Sequence, residues 1–215
     1  VQTQTVHFLR SMRDGLTHAK NNKPILSVLL LTIILNFFGY SFISMIPVIG
    51  ASKLELSPVS VGLLSSMMGA GALINLSLLT IFTNSKYFMR FFLGGTLALL
   101  AAIILFSISP WYSLALIVLF AGGLGEAGFS SMQATITFTA TAPEIRSRVM
   151  GLVVVCIGFG PLGMLHTGLM ANWLGADVAI GFSALEGIVS TLMRTWLLPA
   201  LRQPGIEVYD AVQEK

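Results

Sequence analysis

Six apolar stretches, each of about twenty residues or more and separated by short polar connections, constrain this chain more than any other feature. They run from about Ile25 to Ile49, Val59 to Phe82, Phe91 to Ile108, Tyr112 to Thr141, Val149 to Leu174 and Ala176 to Leu198. The breakers fall where spanning helices should enter or leave: Pro24, Pro47, Gly50, Ser57-Pro58, Ser109-Pro110 and Pro199. A hydrocarbon core about 30 Å thick needs about 20 helical residues per crossing, so six crossings use most of the chain. With 55% hydrophobic and 10% charged residues and a mean hydropathy of +0.85, little polar surface is left for a water-solvated domain. The expected fold is an all-α polytopic membrane protein of six transmembrane helices. It divides into a cytoplasmic amphipathic linker helix over 1–24, a six-helix bundle over 25–198 and a cytoplasmic tail over 199–215.

Basic residues set the expected orientation. Arg10, Arg13, Lys20, Lys23, Lys86, Arg90, Arg146, Arg148, Arg194, Arg202 and Lys215 fall on one side of the six spans, and only Lys53 on the other. Cytoplasmic flanks carry the positive excess, which puts both termini in the cytoplasm. The net charge of +3 is scattered singly between apolar runs, so nucleic acid is not an expected partner; membrane lipid is. Phe8, Leu9, Met12 and Leu16 recur at helical spacing among Arg10, Arg13, Lys20 and Lys23, the pattern of a helix lying on the bilayer or on a partner. The start at Val1-Gln2-Thr3, without a charged leader and short apolar core, suggests a fragment or processed piece.

Spans one to three leave the cytoplasm and return in the sense opposite to spans four to six, as two inverted three-helix repeats would. Within the spans, polar and small residues fall on stripes, since positions three or four apart share a helix face. Span four carries Gly122, Glu126, Ser130, Gln133 and Thr137; span one carries Thr32, Asn36, Tyr40 and Ser44. Gly62, Ser66 and Gly69 in span two, and Cys156, Gly160, Gly163, Thr167 and Ala171 in span five, read as packing stripes for close helix approach. Span three, rich in Leu, Ile and Ala, reads as the lipid-facing helix.

Three ionisable residues lie well inside spans. Glu126 is near the middle of span four, where a carboxylate must hold its proton, meet a cation or reach water, and each state suits proton coupling or substrate charge. Glu186 lies near mid-depth in span six, and His166 beside the small stripe of span five. A structural role in helix contacts is the competing reading of all three. The candidate substrate- or proton-binding set is Glu126, Asn36, Tyr40, Ser130, Gln133, Glu186 and His166. Two Gly-x-Gly-x-x-Gly spacings, at Gly123, Gly125, Gly128 and at Gly158, Gly160, Gly163, lie inside spans and lack the strand that a dinucleotide fingerprint requires. Gly128-Phe129-Ser130-Ser131 with His166 lacks the span order of an intramembrane serine protease. The sequence therefore suggests no enzyme, and no cofactor or metal is expected.

Several stretches together resemble the C-terminal half of major facilitator superfamily transporters, in the branch of the enterobactin exporter and macrolide-efflux-like proteins. They are Arg13-Asp14-Gly15-Leu16 with Asn22-Lys23-Pro24-Ile25-Leu26, then Pro47 and Ser57-Pro58-Val59-Ser60-Val61-Gly62. They continue with Pro143-Glu144-Ile145-Arg146-Ser147-Arg148-Val149-Met150-Gly151, Gly160-Pro161-Leu162-Gly163, Gly168-Leu169-Met170-Ala171 and Gly175. Ser147 stands where glycine is usual, and the loop from Thr83 to Arg90 lacks the family's Gly/Asp/Arg pattern. The resemblance implies half of a twelve-helix fold, with spans one, two, four and five lining a central cavity and spans three and six outside. It also implies a cytoplasmic gating loop carrying Arg146 and Arg148, a bacterial inner-membrane location, and proton-driven export of a small organic solute. The partner is then an N-terminal six-helix half or a second copy. A non-transporting membrane scaffold is the alternative function.

Overall fold

The computed structural model describes residues 15–82, 87–197 and 201, with side chains described except at 81 and 82. Among these residues all regular structure is helical. The Phe8, Leu9 and Met12 part of the linker, Lys86, and the tail apart from Leu201 lie outside them. A short helix, α1, covers residues 15–21. Six spans follow, each long and apolar enough to cross a bilayer, as the hydropathy predicts.

Span one is the least regular. It contains α2 (Lys23–Ile34), a π-helical turn (Leu35–Gly39), a 3-10 stretch (Tyr40–Met45) and α3 (Ile46–Ser52). Its start is fixed by the Asn22 side chain, which accepts from the Ile25 N–H at 3.2 Å, with proline in the first turn. The interior of the span is rich in residues that compete for backbone groups: the Asn36 amide donates to Thr32 O at 2.9 Å, and the Ser44 hydroxyl to Ser41 O at 2.8 Å. Pro47 lacks an N–H to continue the ladder through the turn.

Spans two, three and four are α4 (Pro58–Phe82), α5 (Phe88–Ser107) and α6 (Tyr112–Thr139). Span five is α7 (Pro143–Ile157) and α8 (Gly160–Leu174), stepped at Gly158 and Phe159; span six is α9 (Ala176–Leu197). One residue turns the chain from span five into span six. It is Gly175, at φ +89° and ψ 152°, a conformation that only glycine adopts without strain.

Span four is the hub of one side and span one of the other. Spans two and three pack on span four; spans five and six pack on span one; spans three and six pack on each other. This exchange of partners between the first three spans and the last three is what a two-fold relation between triplets produces. Glycines set the closeness of the span-four contacts. A Cβ built on Gly71 would overlap the Phe120 carbonyl, and one on Gly123 the Met68 carbonyl, so spans two and four meet backbone to backbone. On the neighbouring face, a Cβ on Gly95 would lie 2.6 Å from Gly125 O, and the rings of Phe92 and Phe129 stack at 5.0 Å. The first Gly-x-Gly-x-x-Gly run is thus helix-packing surface.

Four expectations need correction. Span three is not simply a lipid-facing helix: Phe92, Thr96, Leu99, Leu100, Ile103 and Phe106 are buried against spans four and six, because its apolar residues fill one face as well as the other. The Gly62–Ser66–Gly69 stripe is not a packing stripe within this chain. Glycines 62 and 69 have no atom within 4 Å of a built Cβ, and the contact to span four is made by Gly71, on another face. Span two is accordingly 17% buried, against 67% for span one. Arg146 and Arg148 do not sit in a loop, since α7 begins at Pro143. Proline at the first position presets φ and Glu144 suits the N-terminal dipole, so the connection shrinks to residues 140–142. There Arg146 donates to Thr141 O at 3.2 Å and lies 5.4 Å above the Phe138 ring. Finally, the described part of the linker is tied to the bundle: Ala19 of α1 is buried in a cluster with Ile25, Val149, Leu152 and Cys156.

Candidate functional site

Span one and span four face each other through their polar stripes. The Gln133 amide donates to the Thr32 hydroxyl at 2.6 Å, and the Tyr40 hydroxyl donates to Glu126 Oε1 at 3.4 Å. Tyr40 follows Thr32 by about two turns and Glu126 precedes Gln133 by about two turns. The two hydrogen bonds therefore fix one antiparallel register. Asn36, between Thr32 and Tyr40 in sequence, is buried, donates within its own helix and lies beside Gly160 of span five.

Glu126 is near the centre of α6, which at 1.5 Å rise per residue puts it about 20 Å from either end. It lies in the wall of an open groove between spans two and four, of about 710 Å³, with Ser66, Gly69, Leu73, Leu76 and Ser130. Exposed Ser66 on span two and exposed Ser130 on span four place hydroxyls in this groove at depth, between the apolar side chains of Leu73 and Leu76. Such a surface against hydrocarbon is unfavourable; polar groups at membrane depth face protein or a water-filled space. The lower wall is held by Asn75, whose amide donates to Leu124 O across the same helix pair.

His166 and Glu186 come together elsewhere. His166 Nε2 lies 3.6 Å from Glu186 Oε2, between spans five and six. The imidazole rests on the span-one aromatics, 5.3 Å from the Phe37 ring and 6.1 Å from that of Phe38. Beneath it the second glycine run is used for packing: a Cβ on Gly163 would overlap the Phe37 carbonyl. Thr167 donates to Ser41 Oγ at 2.8 Å, and Ser183 to Phe38 O at 2.9 Å. Ser183 thus serves a backbone carbonyl within the π-helical turn, and Thr167 a side-chain hydroxyl of the 3-10 stretch that follows.

The candidate residues thus form two groups on opposite flanks of the interrupted segment of span one. Tyr40, Glu126 and Ser130 stand at an open groove, with Gln133 in the adjoining seam; His166 and Glu186 form a partly exposed contact on the other flank, and Asn36 is buried toward span five. Arg146 and Arg148 belong to neither. No protein-family model and no curated protein matches this chain.

Two constellations escape a reading by spans. The first is Ser41, Thr167 and Ser183, three buried hydroxyls from three spans; each is unremarkable in its own helix, and only packing assembles them. The second is the ion pair of Lys53 and Asp177, at 2.8 Å. The sequence did carry a signal for it, because Lys53 is the one basic residue on its side and Asp177 opens a span there.

Proposed function

We propose that this chain is one six-helix half of a secondary active transporter that exports a small organic solute in exchange for protons by alternating access. The observation that carries the reading is Glu126: a carboxylate at the middle of a span, hydrogen-bonded by one tyrosine and lining an open groove together with Ser66 and Ser130. A scaffold would be served by a capped, enclosed carboxylate. The interruption of span one beside the groove adds support, since broken helices at mid-depth are where transporters place substrate and coupling-ion sites.

In this reading Glu126 is the proton-exchanging group and Tyr40, Ser130, Asn36 and Gln133 orient solute or water around it. His166 and Glu186 are secondary, and Arg146 and Arg148 stiffen the start of span five at the cytoplasmic surface. The groove needs an opposite wall, supplied by a second six-helix unit, either an N-terminal half or another copy. The same reading places the protein in a bacterial inner membrane with both ends cytoplasmic.

The deciding experiment is Glu126→Gln in the transport-competent assembly. Glutamine keeps shape and hydrogen bonding and removes the titratable proton. Expression and thermal stability should match the parent, while gradient-driven solute flux and the accompanying proton movement, followed with a pH-sensitive dye in vesicles, fall by about tenfold or more. Parental flux in Glu126→Gln, with failure only in a misfolded Glu126→Leu, would make Glu126 a packing residue. Orientation is tested separately with single cysteines, because Cys156 is buried and the chain has no other. A cysteine at Lys53 should react with an impermeant external reagent in intact cells, and one at Arg146 should not.

A further inference from the structure

At the end of the bundle that carries Lys53, spans three and six leave, beside the close approach of Gly181 to Ser107, a groove of about 330 Å³ that plays no part in the proposed pathway. Its mouth is charged and its walls are apolar. At the mouth Lys53 Nζ donates to Asp177 Oδ2 at 2.8 Å and to Ser107 O at 2.6 Å. Both side chains of the pair remain about one-third exposed, 31% and 32%. Below them, with Ile108 at the rim, the walls are Ile104, Val178, Phe182 and Leu185, reaching eight residues along span six, about 12 Å at helical rise.

These residues also fix the depth of the groove in the bilayer. Lys53 directly follows α3, Ser107 ends α5, and Asp177 is the second residue of α9. The charged mouth is therefore level with the lipid headgroups and the apolar trough runs from there toward the midplane. A molecule that fills it has a charged end at the interface and a hydrocarbon chain pointing inward, which is the shape and orientation of a membrane lipid.

Charge narrows the headgroup. Lys53 retains one N–H beyond its two hydrogen bonds, and the N-terminus of α9 adds the positive end of its dipole, so a phosphate is favoured there. A purely anionic headgroup would also meet the Asp177 carboxylate and be repelled. A headgroup that pairs its phosphate with a primary ammonium matches both charges, phosphate to Lys53 and ammonium N–H to Asp177. A quaternary ammonium has no N–H to give the carboxylate.

We infer that the groove between spans three and six is a site for a glycerophospholipid with a phosphoethanolamine headgroup, its acyl chain lying along Ile104, Val178 and Leu185 and its headgroup bridging Lys53 and Asp177. The inference depends on the chain spanning a bilayer and not on transport, so loss of one claim leaves the other standing.

The test is native mass spectrometry of the full chain released from nanodiscs of equal parts phosphatidylethanolamine, phosphatidylcholine and phosphatidylglycerol. The parent should retain ethanolamine lipid at least about fivefold over either competitor, and 10 mM inorganic phosphate should not displace it, as expected when most of the binding comes from the buried chain. Asp177→Asn should bring the ethanolamine-to-choline ratio close to one. Val178→Trp, which fills the trough from an already exposed position, should abolish retention of all three lipids with an unchanged unfolding temperature. Equal retention of the three lipids by the parent, displacement by phosphate alone, or undiminished ethanolamine lipid in Val178→Trp would each overturn the assignment. If Asp177→Asn destabilises the chain, the exchange Lys53→Asp with Asp177→Lys keeps the ion pair, and its retained preference for the ethanolamine lipid is then the expected result and its loss the contrary one.

Discussion

Spans two and five carry nearly the same pattern of small residues and use it in opposite ways. In span five, Gly160 and Gly163 lie under the backbone of Asn36 and Phe37, Thr167 reaches Ser41, and Cys156 is buried. In span two, Gly62 and Gly69 face empty space and Ser66 is exposed, while the contact with span four is made by Gly71 on another face. Small residues in a membrane helix permit close approach; they do not say what approaches. In span five the occupant is another helix of this chain. In span two it is the open groove that holds Glu126.

The largest effect that separates the two stripes is Gly163→Ala. The added methyl has nowhere to go but into the Phe37 backbone, and overpacking against backbone costs about 3 kcal/mol. The variant should lose its monodisperse gel-filtration peak or unfold well below the parent. Parental stability would mean that span five does not rest on span one as described. Gln133→Leu is the next largest: it leaves the buried Thr32 hydroxyl without its interhelical donor and should cost about 1 kcal/mol in thermal unfolding. Gly62→Ala and Gly69→Ala should be neutral or stabilise the chain slightly, by up to about 1 kcal/mol, because alanine is the better helix former where nothing is crowded. Their bulkier versions, Gly62→Leu and Gly69→Leu, should leave this chain folded yet, under the proposed transport function, reduce flux in the assembly. Folding loss in these leucine variants, rather than flux loss, would return span two to the packing class. The smallest effect is expected from Glu186→Gln: its histidine contact is long and partly exposed, so stability should change by less than about 0.5 kcal/mol. Flux should fall less than in Glu126→Gln.

The element order and span limits were legible because hydrocarbon thickness and proline or glycine breakers act locally along the chain. Glu126 was legible for a similar reason, since its depth follows from counting residues in one span. The use of each stripe was not, because Gly62 and Gly163 differ only in what stands opposite them. Nor was the interruption of span one. Pro47 marks the end of that span, whereas the turn at Leu35–Gly39 is met by a hydroxyl from span six, Ser183 on Phe38 O, that only packing brings there. The start of span five at Pro143 is not legible from the apolar run, which begins only at Val149, after Arg146 and Arg148. A helix end projecting into the interface tolerates both, with the guanidinium of Arg146 on a carbonyl and an aromatic face.

The interruptions in spans one and five lie side by side. Gly160 and Gly163 flank Asn36 and Phe37, so the π-helical turn of one span abuts the Gly158–Phe159 step of the other at a common depth. An α-helix resists bending through its continuous ladder of carbonyl-to-amide bonds, and a break in register removes that resistance locally. Two notches at one level in adjacent rods act as a crease. Spans three, four and six have unbroken helices and no matching notch. The bundle is therefore mechanically anisotropic: it is compliant about one transverse line through spans one and five and stiff behind it, and any load on the outer ends of those two spans bends them together.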